Sequence, residues 1–141
     1  IFTPARGLPH PYVNPLLVDR EGQVWAATGQ LEEGGACRFR RTAQGWEVSD
    51  RLSRADGLPG AKVRSMFQDA DGDLWMGFEN DGLALRTAGR IIAFRESDGL
   101  PHKEITCIVG GPGGEVWLGT LAGVLRIGPE AIRKMKQARP A

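Results

Sequence analysis

Between residues 63 and 95 the chain alternates apolar and polar residues in four short runs, each closed by a turn signal. Val63 to Asp69 sets Val63, Ser65 and Phe67 against Arg64, Met66 and Gln68. Asp69-Ala70-Asp71-Gly72 reads as a hairpin turn, in which the first Asp caps backbone N–H groups and the glycine closes the reversal. Asp73 to Phe78 places Leu74, Met76 and Phe78 on one face and Trp75 and Gly77 on the other. Gly82 to Thr87 and Arg90 to Arg95 follow, joined by Ala88-Gly89-Arg90. A period of two predicts strands. Apolar residues on both faces predict a sheet covered on both sides by neighbours rather than one that meets water.

The same pattern returns twice. Gly-Leu-Pro stands at Gly7, Gly57 and Gly99, spaced by 50 and 42 residues, and Trp25, Trp75 and Trp117 each follow 18 residues after that glycine. Between them lie Asp19-Arg20-Glu21-Gly22, Asp69 to Gly72, and Gly111-Pro112-Gly113-Gly114. Strand-only units of this length are the size of propeller blades. The expected fold is therefore all-β, built on four-stranded antiparallel blades at 7–56, 57–98 and 99–128. The three blades form part of a larger ring or half of a six-bladed assembly. In the first, an excursion over Gly29 to Gly34 precedes a third strand at Gly35 to Arg41 and a fourth containing Trp46 and Val48. In the last, strands are expected near Ile105 to Val109, Glu115 to Thr120 and Gly123 to Ile127, and an outer strand is missing. A short helix is expected at 129–137, with Pro129 at its first turn. Phe2 precedes Gly7 by five residues, as Phe94 precedes Gly99, so 1–3 reads as the outer strand of a preceding blade. Ile1 in place of Met predicts a processed or excised piece of something longer.

Composition adds mostly exclusions. The 141 residues carry 18 Lys and Arg against 17 Asp and Glu, a balance without the basic footprint of a nucleic-acid or anionic-membrane binder. No apolar run suggests direct membrane insertion. Cys37 and Cys107 lie 70 residues apart in no metal-ligand spacing and read as small buried hydrophobes. No Ser/His/Asp set, shielded carboxylate pair, P-loop or dinucleotide fingerprint is visible, so neither a catalytic residue nor a cofactor is expected.

Trp25, Trp75 and Trp117, at one repeat position, read as packing between blades rather than stacking platforms. Asp69, Gly72 and Gly114 are the turn positions of the same motif. Asp19, Asp69 and Asp71 lack the further oxygen ligands calcium requires, and turn capping is the better reading. His10 and His102 share a loop position after Gly-Leu-Pro, and without nearby carboxylates no metal site is inferred. Arg38, Arg40 and Arg41 read as charge guarding an edge strand. If the loop face binds a ligand, topology nominates His10, Tyr12, Lys62, Arg64, His102 and Lys103, with Gln30, Glu79 and Asn80 from the loops between second and third strands.

These residues resemble the two-component regulator propeller repeat. The resemblance rests on Asp56-Gly57-Leu58-Pro59, Asp69-x-x-Gly72-x-Leu74-Trp75-Met76-Gly77, Gly82-Leu83 with Arg86, and Asp98-Gly99-Leu100-Pro101. Gly114-x-Val116-Trp117-Leu118-Gly119-Thr120 and Gly123-Val124-Leu125-Arg126 complete it. The departures are eight extra residues in the first repeat, Gly110 to Pro112 in place of an acidic turn, and the helical C-terminus. The family implies an extracytoplasmic, periplasmic sensor of an inner-membrane histidine kinase or diguanylate cyclase, with a small-molecule or saccharide ligand. The remaining blades or a second copy of the chain would be its structural partners. The alternatives are a protein-interaction scaffold and, further off, a propeller lyase or hydrolase. The sialidase-type Asp box is disfavoured, because it sets Asp and Gly two apart whereas Asp69 and Gly72 are three apart.

Overall fold

Asp69 shows why the repeat keeps its acidic turn. In the computed structural model, which describes residues 1–30 and 32–138, its Oδ1 accepts the N–H groups of Asp71 and Asp73 at 3.0 and 3.1 Å. Its Oδ2 accepts the Trp75 indole N–H at 2.9 Å. One carboxylate thus closes the hairpin and anchors the large ring six residues on. Asp19 does the same in the first repeat, accepting from Glu21, Gln23 and, at 3.2 Å, Trp25.

Strands laid down by these turns form three antiparallel sheets, each in chain order. The first holds β1 (Val13–Val18), β2 (Val24–Gln30), β3 (Glu33–Thr42) and β4 (Gly45–Leu52). The second holds β5 (Val63–Gln68), β6 (Leu74–Phe78), β7 (Leu83–Thr87) and β8 (Arg90–Phe94). The third has only β9 (Ile105–Gly110), β10 (Val116–Thr120) and β11 (Gly123–Ile127), followed by helix α1 (Pro129–Gln137). Single 3₁₀ turns at Pro4–Arg6, Arg54–Asp56 and Glu96–Asp98 each end on the Gly-Leu-Pro glycine. Gly7, Gly57 and Gly99 sit at φ of 109°, 108° and 108°, a left-handed backbone that explains why the position is glycine in every repeat.

The sheets stack face to face in sequence order. Trp25, Ala27 and Leu52 pack on Val63, Leu74, Met76 and Phe78 between the first and second. Trp75, Leu83 and Leu85 pack on Ile105, Ile108, Val116 and Leu118 between the second and third. The leucines of Gly-Leu-Pro plug these seams: Leu58 belongs to the first cluster and Leu100 to the second. Full burial of a side chain such as Phe78 contributes roughly 1.5–3 kcal/mol. Trp117, the third copy of the tryptophan, faces outward and is 36% exposed, because no further sheet covers it.

Several expectations change. The excursion at 29–34 is not a loop: Gly29 pairs with Gly34 and Gln30 with Glu33, so the extra residues lengthen the β2–β3 hairpin. Leu31, within that stretch, lies outside the described residues. Residues 1–3 pair with no strand among the described residues. Phe2 nevertheless packs on Phe39 at 4.6 Å between ring centroids, and it shares the repeat position of Leu52 and Phe94. Cys107 is exposed rather than buried, on the uncovered face of the third sheet, and both cysteines are free thiols. Arg38 does not guard an edge, because β3 is flanked by β2 and β4.

Candidate functional site

Strands β1, β5 and β9 are the innermost of their sheets and lie side by side. Each carries an irregularity at one repeat position. Pairing to the neighbouring strand skips from Val13 to Leu16, from Val63 to Ser65, and from Ile105 to Cys107. The residues left out of the ladder include Asn14, Arg64 and Thr106. A bulge bends its strand and re-aims the extra side chain. All three line one open cavity of about 510 Å³, together with Pro15 and Lys62.

Charge fixes the walls. Lys62 Nζ lies 2.7 Å from Glu79, and Arg64 Nη1 lies 3.7 Å from both Glu79 and Glu104. The Arg64 distances are ion-pair range but too long for hydrogen bonds. The guanidinium is oriented by two carboxylates while its N–H groups stay available.

The structure thus brings together Lys62, Arg64 and Glu79. His10 and His102 lie in the loops that lead into β1 and β9, with the second sheet between those strands. Each closes its own loop: His10 Nδ1 accepts from the Tyr12 N–H at 3.1 Å, and His102 Nδ1 from the Glu104 N–H at 3.0 Å. The His10 and Tyr12 rings meet edge to face at 5.2 Å. Asn80 and Lys103 line a separate shallow hollow, and Gln30 is exposed at the end of β2. Asn14 and Thr106 were not nominated from sequence. Their signal was their position, 50 residues before and 42 after Arg64.

At the opposite ends of the strands, Asp69, Asp71 and Asp73 form the only group of three potential metal ligands among the described residues. Lys136 Nζ, from α1, sits among them at 2.7, 2.9 and 2.9 Å. Burial pushes the Asp69 carboxyl upward, but the hydrogen bonds from Lys136, Trp75 and the Asp73 backbone outweigh it and hold it below the usual carboxylate range. Lys136 is raised despite its burial, through the same three carboxylates. Arg90 adds hydrogen bonds to the carbonyls of Lys136 and Ala138 at the end of α1, where the helix dipole is negative.

In the third sheet the turn has Gly111 and Gly113 where the second has Asp69 and Asp71. The Glu115 carboxylate fills the space a side chain at either glycine would need. It is held below its usual range by its own backbone N–H, the Trp117 indole and the Gly113 N–H, against a smaller opposing effect of burial.

Residues 57–80 match the family described as Two component regulator propeller, over the Gly-Leu-Pro loop, the bulged strand β5 and the Asp–Trp turn. The fold agrees over nearly the whole chain. The chain is similar to the extracellular domain of the hybrid two component system BT3049 from B. thetaiotaomicron, with a TM-score of 0.76 and 21% identity over 94% of its residues. It is also similar to PorZ, a surface component of the type-IX secretion system of Porphyromonas gingivalis, with a TM-score of 0.64 and 17% identity over 93%. The chain spans only 18% and 21% of those two proteins. No curated protein sequence matches it. Among the described residues, no helix is long and apolar enough to cross a membrane.

Proposed function

We propose that this chain is part of the extracytoplasmic sensory module of a bacterial signalling protein of the two-component type, and that its Gly-Leu-Pro face takes a small-molecule or saccharide ligand. The observation that carries this reading is the convergence of the bulged residues Asn14, Arg64 and Thr106, with Lys62, on one cavity. An amide, a hydroxyl, an ammonium and a half-engaged guanidinium offer donors in several directions, which suits a polyol or a polar small molecule. The family match at 57–80 and the likeness to the extracellular domain of a hybrid two component system support the signalling context. The periplasm is the compartment this context implies.

Titrating the chain with a panel of neutral and acidic oligosaccharides, followed by NMR, tests the proposal. The expected result is saturable shifts at Asn14, Arg64 and Thr106 that are lost in Lys62→Ala and Arg64→Ala. Saturable binding that both variants retain would overturn the site, and no binding across the panel would overturn the saccharide reading.

A second reading is favoured by a different observation. Leu16 and Val18 on the first sheet are each 67% exposed, and Val124 on the third is 71% exposed, so both outer faces present apolar side chains. These faces occupy the repeat positions that elsewhere bury against a neighbour, so further blades or a second copy would cover them. Sedimentation measures this directly: a monomer at all concentrations would exclude closure by a second copy.

A further inference from the structure

The arginine that follows the third-strand glycine by three or four positions does not point the same way in every sheet. Arg38 pairs across from Trp25, and Arg126 pairs across from Trp117, so ring and guanidinium share a face. In the second sheet Trp75 pairs with Leu85, and Arg86 pairs with Leu74. Arg86 stands four positions after Gly82, whereas Arg126 stands three after Gly123. A one-residue shift in a strand moves a side chain to the other face. Arg86 therefore faces the first sheet, where its Cζ lies 5.5 Å from the centroid of the Trp25 ring. Arg38 already stands over that ring at 5.1 Å.

Two guanidinium groups from different sheets thus meet on one indole, at a cavity of about 290 Å³ in the seam. Arg38 is paired with Asp50 through Nη2, but its Nε is buried with no hydrogen-bond partner. Arg86 makes no ion pair among the described residues, and the two acids that line the cavity, Asp19 and Glu21, both lie beyond ion-pair distance of it. Asp19 is occupied by its turn and by Trp25. Glu21 is exposed. The charge of Arg38 is met by Asp50, whereas that of Arg86 is met by no carboxylate within ion-pair distance. Guanidinium groups stacked on an aromatic face keep their N–H edges for such a partner.

We infer that this cavity binds an oxyanion, a carboxylate, sulfate or phosphate group of a small molecule, with Trp25 as its floor and Arg86 as its fork. The site lies by the Asp19 to Gly22 and Asp69 to Gly72 turns, at the far end of β5 from Arg64. It does not depend on the ligand face proposed above.

The test is a titration of the intact chain with acetate, sulfate and inorganic phosphate at constant ionic strength, following the arginine Nε–Hε and tryptophan indole resonances. The expected result is a saturable shift of Arg38, Arg86 and Trp25 with at least one anion, and the anion that binds tightest identifies the group. Arg86→Gln should weaken binding about tenfold or more, as loss of a charged hydrogen-bond donor does. Arg126→Gln, the same change at the equivalent motif position, should leave it intact. Should Arg86→Gln fail to fold, Arg86→Lys keeps the charge and stem without the fork and should still weaken binding several-fold. Shifts reproduced by chloride alone, no saturable shift with any anion, or unchanged affinity in both Arg86 variants would each overturn the inference.

Discussion

Lys136 Nζ lies 2.7 Å from Asp69 Oδ2, the same oxygen that receives the Trp75 indole N–H. Helix, turn and interior ring are therefore tied at a single atom. Lys136→Ala should lower stability by about 1–3 kcal/mol, the range for leaving a buried acceptor short of a charged donor. Urea unfolding measures the loss. Circular dichroism at 222 nm shows whether α1 has come off the second sheet.

The same contact makes the latch sensitive to acid. Asp69 is held below its ordinary pKa in the folded chain, so the unfolded chain takes up its proton first as pH falls. Its contribution is complete above roughly pH 4, the ordinary carboxylate value, and is lost as pH drops through the lower folded value. Stability measured from pH 6 downward should fall in this window, and Asp69→Asn should flatten that part of the profile.

Glu115 stands in for the missing turn aspartate of the third sheet. Glu115→Ala should lower the melting temperature by emptying the space its carboxylate fills in the turn beside Gly111 and Gly113. Adding Gly111→Asp to that variant should restore part of the loss, because the carboxylate then returns by the route Asp69 uses. Gly111→Asp alone should destabilise, since Glu115 already fills the space. Thermal melts of the three variants decide it.

Ala88 is the one described non-glycine residue with positive φ, at 51°, in the two-residue turn from β7 to β8. L-residues strain there by roughly 1–2 kcal/mol, and asparagine tolerates the region better. Ala88→Asn should raise the unfolding midpoint in urea.

Much of the fold was legible because the repeat writes it three times. Gly-Leu-Pro, the Asp-to-Gly turn and the tryptophan each mark a local geometry that sequence spacing can carry. What was not legible came from relations between repeats. Lys136 meets Asp71 across 65 residues, and nothing in α1 alone announces the acidic socket. The direction of Arg86 depends on strand pairing, which motif matching ignores. Cys107 and Trp117 sit on positions that are interior in the repeat, and their exposure follows only from the sheet that is not beside them. The candidate site was half visible. Lys62, Arg64 and Glu79 followed from loop topology, whereas Asn14 and Thr106 shared only the repeat position of Arg64, and the bulges that turn them to the same cavity leave no residue signature.

Those bulges carry a last consequence. A residue left out of the ladder has no cross-strand partner to satisfy, so its identity is free to drift while the architecture stays fixed. Amide, guanidinium and hydroxyl already occupy this place in three copies of the unit, on strands otherwise built alike. The chemistry that lines this face can therefore change one unit at a time, without reopening the problem of folding.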